Sequence, residues 1–278
     1  MSEQRDKNLW IFNAGNSFAG NPKWMFEYII RHHKEIKPVW MCYNADTMNY
    51  VHKLGYEAEL YHSSKGKSVM AKAGVYVVEM CKEVFQPELS GITVLNLWHG
   101  VGCKSIERKV TDGFLQERIA KKYIQNNDIL RNNQLFLVTS EIMEKHFKEQ
   151  CGIDDDKVIR AGYPRCVVND NIQSYDHDIR KKKGLSANTK LAIYCPTYRD
   201  NNGANFMKSA LPDMKRLAEV LHENNILLIL KMHPLVEKDT QYLAMKEVYR
   251  EHPNFYFWEN EDDVYEIFSD IDLSLIHI

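Results

Sequence analysis

Four short stretches carry side chains whose types and spacing could do chemistry. In Asn96-Leu97-Trp98-His99-Gly100-Val101-Gly102-Cys103-Lys104, a histidine stands between a tryptophan and a glycine, directly after the apolar run Ile92-Thr93-Val94-Leu95. A histidine at the end of a buried strand can hold a near-neutral pKa and act as a general base. Gly100 and Gly102 allow the backbone to approach a ligand, and Lys104 offers a point charge for a phosphate. The plainer reading is a histidine that only ends a strand, packed on Trp98. In Tyr194-Cys195-Pro196-Thr197-Tyr198-Arg199-Asp200, Thr197 supplies a hydroxyl and Arg199 a forked cation suited to a pyrophosphate. The alternative there is a solvated arginine paired with Asp200. Met232-His233-Pro234 sets a second histidine at the end of an apolar run, and Gly162-Tyr163-Pro164-Arg165 sets an arginine in a turn, where structural duty is the plainer role.

Such residues work only if strands and helices deliver them to one edge. Short apolar runs alternate with helical patterns along the chain, the signature of βαβ units and a mostly parallel sheet. Strands are expected at Leu9–Phe12, Val39–Cys42, Glu57–Tyr61, Val75–Val78, Thr93–Leu97, Leu135–Val138 and Val158–Arg160. Asn21-Pro22 opens a helix, with Asn21 read as its N-cap and Met25, Phe26, Ile29 and Ile30 facing the sheet. Trp24, Phe26 and Tyr28 read as core. Helices are also expected at Phe114–Ile124 and Glu141–Gln150. A polar stretch, 169–188, carries Arg180-Lys181-Lys182-Lys183 and reads as a linker with a short surface helix, its charges a solvated face or an attraction for anionic lipid. A second series follows: strand Lys190–Cys195, helix Pro212–Asn224, strand Ile226–Lys231, helix Thr240–Tyr249, strand Phe255–Trp258, helix Asp262–Phe268 and a strand beginning at Ile271. The expected domains are 1–168 and 189–278, both α/β, with a cleft between them for a ligand.

The 278 residues are 44% hydrophobic and 27% charged with a net charge of −2, an ordinary globular balance that argues against a nucleic-acid scaffold. Six scattered cysteines form no CxxC pair, so neither a zinc knuckle nor a disulfide framework is indicated. No GxGxxG, P-loop or HExxH motif occurs, and no cofactor or metal is expected. Met1–Lys7 holds no apolar segment of signal-peptide length, and no apolar run approaches the length that crosses a bilayer. A reducing, cytoplasmic setting is the expectation.

Taken in order, Asn21-Pro22-Lys23, Leu97-Trp98-His99-Gly100, Gly162-Tyr163-Pro164-Arg165, Cys195-Pro196-Thr197-Tyr198-Arg199-Asp200 and Met232-His233-Pro234 resemble the motifs of the CDP-glycerol glycerophosphotransferase family, the teichoic-acid primases and polymerases. The resemblance implies a GT-B-like architecture, two Rossmann-like domains with an interdomain cleft. It also implies transfer of a polyol phosphate from CDP-glycerol or CDP-ribitol to a hydroxyl on a polyprenyl-linked or glycan acceptor, with release of CMP. Under it, His99 is the base that deprotonates the acceptor, and His233 stabilises the phosphate under attack. Thr197 and Arg199 hold the donor's phosphates, while Gly100, Lys104, Asp200, Lys23 and Arg165 complete the substrate-binding set. The site of action would be the inner membrane face, with the protein peripheral to it.

The sequence departs from the family's wording in three places. Val101-Gly102-Cys103 replaces a Thr-Pro-Leu, which bears on donor or acceptor preference, and Tyr198 replaces a tryptophan. After Ile271-Asp272-Leu273 the family's further nucleotide-holding elements do not follow, so the second domain is expected to be incomplete. Leu273 to Ile278 also reads as one frame of a transposase adapter end. Two other functions stay open at this level: a GT-B glycosyltransferase or epimerase using a nucleotide sugar, and a non-catalytic chain that binds a glycan.

Overall fold

A computed structural model of the chain describes residues 5–81, 86–102, 105–113, 115–126, 133–166, 178–196, 209–233, 236, 239–259 and 263–275. It divides into two compact units, Met1–Ile172 and Gln173–Ile278.

In the first unit the order is β1 (Asp6–Phe12), α1 (Gly20–His32), β2 (Lys37–Cys42), α2 (Ala45–Lys53), β3 (Ala58–Leu60), α3 (Ser64–Lys72) and β4 (Ala73–Val78). Then come β5 (Thr93–Asn96), α4 (Gln116–Gln125), β6 (Gln134–Val138), α5 (Glu141–Cys151) and β7 (Val158–Arg160). The strands form one parallel sheet in the order β3-β2-β1-β4-β5-β6-β7. Alternate residues point to opposite faces, and both faces are covered. Phe12, Trp40, Val77 and Leu95 pack in one core cluster, whereas their neighbours Ile11, Met41, Val78 and Val94 pack in another. Burying each such side chain stabilises the fold by roughly 1.5–3 kcal/mol.

The second unit holds α6 (Ile179–Lys182), β8 (Lys190–Tyr194), α7 (Met214–Glu223), β9 (Ile226–Leu230), α8 (Thr240–Tyr249), β10 (Phe255–Phe257), a 3-10 helix (Val264–Asp270) and β11 (Leu273–Leu275). Its sheet is parallel in the order β10-β9-β8-β11. Again Leu228, Leu230 and Phe257 serve one core, and Leu227, Ile229 and Trp258 the other. Residues 178–188 of the expected linker belong here: Ile179 is buried in the second core. The charge run beside it is not simply solvated. Arg180 Nε donates to Thr189 O (2.7 Å) and Lys183 Nζ to Arg250 O (2.9 Å).

Three further expectations are corrected. Asn21 is not the cap of α1; the helix starts earlier, at Gly20, and Ala19 caps it without a side-chain bond. Gly20 enters with φ +70°, and a Cβ there would collide with the Glu79 carboxylate, which lies against the positive end of the helix. Tyr28 is exposed, its ring against His32, rather than core. The helix expected over Asp262–Phe268 is a 3-10 helix; Val264 and Ile267, three apart, eclipse and bury together.

Candidate functional site

The order of the first sheet reverses at β1, with β2 and β3 on one side and β4 to β7 on the other. In open α/β sheets ligands bind at the carboxyl ends of the strands beside such a switch point. Three segments meet there: Glu79–Cys81 after β4, Leu97–Gly102 after β5, and the start of α1. A fourth, Tyr163–Cys166, packs on α1.

The β5 strand stops at Asn96, one residue before the expected end, for a local reason. Asn96 Oδ1 accepts the Trp98 backbone N–H (3.0 Å), an Asx-type turn that pulls the chain out of the ladder. Asn96 Nδ2 is fixed in turn by Gln134 Oε1 (3.0 Å) on β6. Trp98 then takes φ +52°, a left-handed conformation that costs about 1–2 kcal/mol for an L-residue. Its indole is buried against Phe136 and Phe147. The turn sends the next side chain, His99, back across the sheet edge.

His99 lies stacked on Trp98 (ring centroids 4.5 Å apart), yet the residue keeps an exposed edge. Its Nδ1 sits 2.8 Å from Glu79 O. A carbonyl only accepts, so Nδ1 carries the proton and Nε2 keeps its lone pair. Burial pulls the His99 pKa below its ordinary value, and the Arg165 charge pulls the same way; the Glu79 carbonyl and Glu107 oppose them. The neutral ring is therefore the resting form at pH 7. This is the protonation state and tautomer of a general base.

Arg165 Nη2 donates to His99 O (2.8 Å), and Tyr163 Oη to Gly100 O (2.8 Å). Gly100 itself has φ +149°, open to glycine alone. Gly102 leaves room for a neighbour rather than a ligand: a Cβ there would stand 2.6 Å from His146 Nε2. Lys23, expected to touch substrate, is enclosed at 1% exposure, its ammonium 5.6 Å from the Phe18 ring centre and 6.0 Å from that of Trp24. Helix α1 turns that side chain into the aromatic core. Lys104 lies outside the described residues.

In the second unit, Tyr194-Cys195-Pro196 leaves the carboxyl end of β8, beside the switch between β8 and β11. Thr197, Arg199 and Asp200 lie outside the described residues, as does Pro234. On the adjacent β9, the Lys231 N–H still bonds Tyr194 O (3.0 Å), Met232 is buried, and His233 is exposed. Burial and the Lys231 charge lower the His233 pKa. Burial raises that of Cys195 to about 11 against the pull of Lys231, so the thiol is no nucleophile at neutral pH. A neutral imidazole at this edge can donate a hydrogen bond to a phosphoryl oxygen.

Sequence reasoning singled out His99 and Arg165 but not Asn96, Glu79 and Tyr163, which bond the same loop. The Asn-x-Trp spacing of the Asx turn was the available signal for Asn96. Glu79 acts through its backbone and left none.

Two parallel α/β units with loops gathered at their carboxyl edges define the GT-B-like class of fold. Within that class the chain belongs to the CDP-Glycerol:Poly(glycerophosphate) glycerophosphotransferase family, which matches residues 1–276. It is similar to the teichoic acid poly(glycerol phosphate) polymerase of Bacillus subtilis (strain 168), with 25% identity over 242 residues, 81% of this chain and 31% of that protein. It is similar also to the teichoic acid ribitol-phosphate polymerase TarL of Staphylococcus aureus (strain NCTC 8325 / PS 47), with 28% identity over 57% of this chain and 29% of the other. The chain thus spans roughly a third of the length of these relatives. A solved structure of the wall teichoic acid polymerase TagF shares the fold, with a TM-score of 0.74 and 18% identity over 98% of this chain and 66% of that one. Among the described residues no helix is long and apolar enough to cross a membrane.

Proposed function

We propose that the protein transfers a polyol phosphate, glycerol phosphate or ribitol phosphate, from a CDP-activated donor to a hydroxyl of a lipid-linked or glycan acceptor in teichoic-acid or capsule-type polymer synthesis. The observation that carries this reading is His99, neutral, with Nδ1–H bonded to Glu79 O at a sheet's switch point. Nε2 takes the proton of the acceptor hydroxyl as its oxygen attacks the donor's distal phosphorus. The bond from that phosphorus to the bridging oxygen breaks, and CMP leaves with the electron pair. His233 donates a hydrogen bond to the phosphoryl group as charge builds on it. Thr197 and Arg199 hold the donor's pyrophosphate with Lys104, Asp200 completes the substrate-binding set, and Arg165 stiffens the His99 loop. Phosphoryl transfer depends mainly on such positioning and charge stabilisation. A lipid-linked acceptor sets the reaction at the cytoplasmic membrane face.

The test is CMP release from CDP-glycerol and CDP-ribitol with a lipid-linked acceptor, against UDP-sugars as controls. Turnover of a CDP-polyol that falls about 1,000-fold in His99→Ala is expected, within the range of a lost general base. Turnover of a UDP-sugar alone, or a His99→Ala variant as active as the parent, would overturn the proposal.

A further inference from the structure

Asn21 is fully buried in the first turn of α1, and its amide does not cap the helix. It reaches instead across the sheet edge. Nδ2 donates to Trp98 O at 2.6 Å, and Oδ1 accepts the Arg165 backbone N–H at 3.3 Å. The Trp98 bond is one of a series. Three consecutive carbonyls, those of Trp98, His99 and Gly100, each accept from a side chain of another segment: Asn21, Arg165 and Tyr163. The left-handed turn at Trp98 takes these carbonyls out of the β ladder, and side chains replace the lost partners.

Asn21 stands at the start of that series, on the peptide whose conformation is strained. If Trp98 relaxed to an extended backbone, its carbonyl would swing away and the Cα–Cβ bond of His99 would point elsewhere. The Nδ1–H bond to Glu79 O depends on that direction. We propose that Asn21 is a positioning residue for His99: its amide holds the left-handed Trp98 peptide and so fixes the tautomer and aim of the imidazole. The kinetic part rests on the phosphotransferase reading above; the structural part does not.

Asn21→Asp separates the roles of the amide. The variant keeps the shape and the acceptor for Arg165, but it sets a carboxylate oxygen where the donor faced Trp98 O. Nitrogen-15 NMR of the imidazole is the first readout. The parent should show Nδ1-protonated His99 titrating below the ordinary histidine value. The folded variant should show a mixture of tautomers and a pKa moved up toward about 6.5. CMP release should fall about 30-fold in kcat, with the donor KM within twofold, and its acid limb should move to higher pH. Added to His99→Ala, the same change should cost no further activity, because Asn21 acts through His99.

An unmoved tautomer and pKa in folded Asn21→Asp would overturn the proposal, as would a further loss in the double variant. If Asn21→Asp does not fold, Asn21→Ala carries the same two readouts with the same expected and overturning results. If the parent releases no CMP, the phosphotransferase reading fails, and the NMR comparison still decides the clamp.

Discussion

Each sheet carries one candidate histidine at its carboxyl edge, but polar side chains are distributed differently about the two sheets. In the first unit Asn21, Asn96, Tyr163 and Arg165 all bond the loop around His99 at that edge. In the second, the polar clamps gather at the opposite edge, where the strands begin. Thr189 Oγ1 donates to Asn225 Oδ1, Asn254 Nδ2 to Ile226 O, and the Leu191 N–H to Asp272 Oδ2. One unit applies its fixed hydrogen bonds to the site; the other applies them to the start of its sheet. Among the described residues, positioning of the proposed base, His99, is built into the first fold, and stability of the second sheet is secured away from its histidine.

That contrast is broken most directly at the histidines. His99→Ala is expected to lower transfer about 1,000-fold and His233→Ala about 100-fold, the loss of a base against the loss of one donor to the phosphoryl group. Both residues are exposed, so thermal midpoints should stay near the parent's. Equal losses would mean that the two edges share one role, and the asymmetry argued above would be wrong.

Next come the clamps themselves. Asn96→Ala removes the bonds to the Trp98 N–H and to Gln134 Oε1, an expected loss of about 2–3 kcal/mol together with most of the activity. Asn225→Ala should cost about 1–2 kcal/mol, since it loses the Thr189 bond and places alanine at φ +52°. Its kcat should remain that of the parent. Urea unfolding beside CMP release measures both, and a drop in kcat for Asn225→Ala would sink the division of labour.

The acid side gives a smaller effect. The His99 and His233 pKa values are lowered in the folded state, so the unfolded chain takes up these protons first as pH falls. Stability should decline with pH from about 6.5 down through the lower folded values. Activity should lose its base over the same interval, with its acid limb centred below 6.5. In His99→Ala the slope of stability against pH should become shallower there, and an unchanged slope would contradict a lowered His99 pKa in the folded state.

The sheets were legible because strands buried on both faces read as continuous apolar runs such as Ile226–Leu230. Helix α1 was legible from Phe26 and Ile29, but its cap was not: the helix starts at Gly20, where a positive φ and the nearby Glu79 carboxylate, distant in sequence, leave no room for a Cβ. The short helices α2 and α3 carry readable caps in Asn44 and Ser63, yet they are too brief for a convincing apolar period. His99 stood out by type and place. The clamp around it did not, because its bonds go to backbone carbonyls of segments 77 and 66 residues away, and no periodic pattern encodes such pairs.

The smallest predicted effect concerns the run Arg180–Lys183, which separates a purely solvated face from a structural one. Lys183 Nζ bonds Arg250 O and His252 O at the carboxyl end of α8, where the helix dipole favours a cation. Burial lowers the Lys183 pKa. Its charge in turn is one cause of the lowered His252 pKa, after burial and ahead of His222. Lys183→Met keeps the apolar stem and removes the charge, so stability should fall by less than about 1 kcal/mol. His252, relieved of a like charge, should titrate at higher pH, read by its proton NMR shift. If His252 does not move, the run is a solvated face after all and the second unit's polar scaffold is smaller than argued.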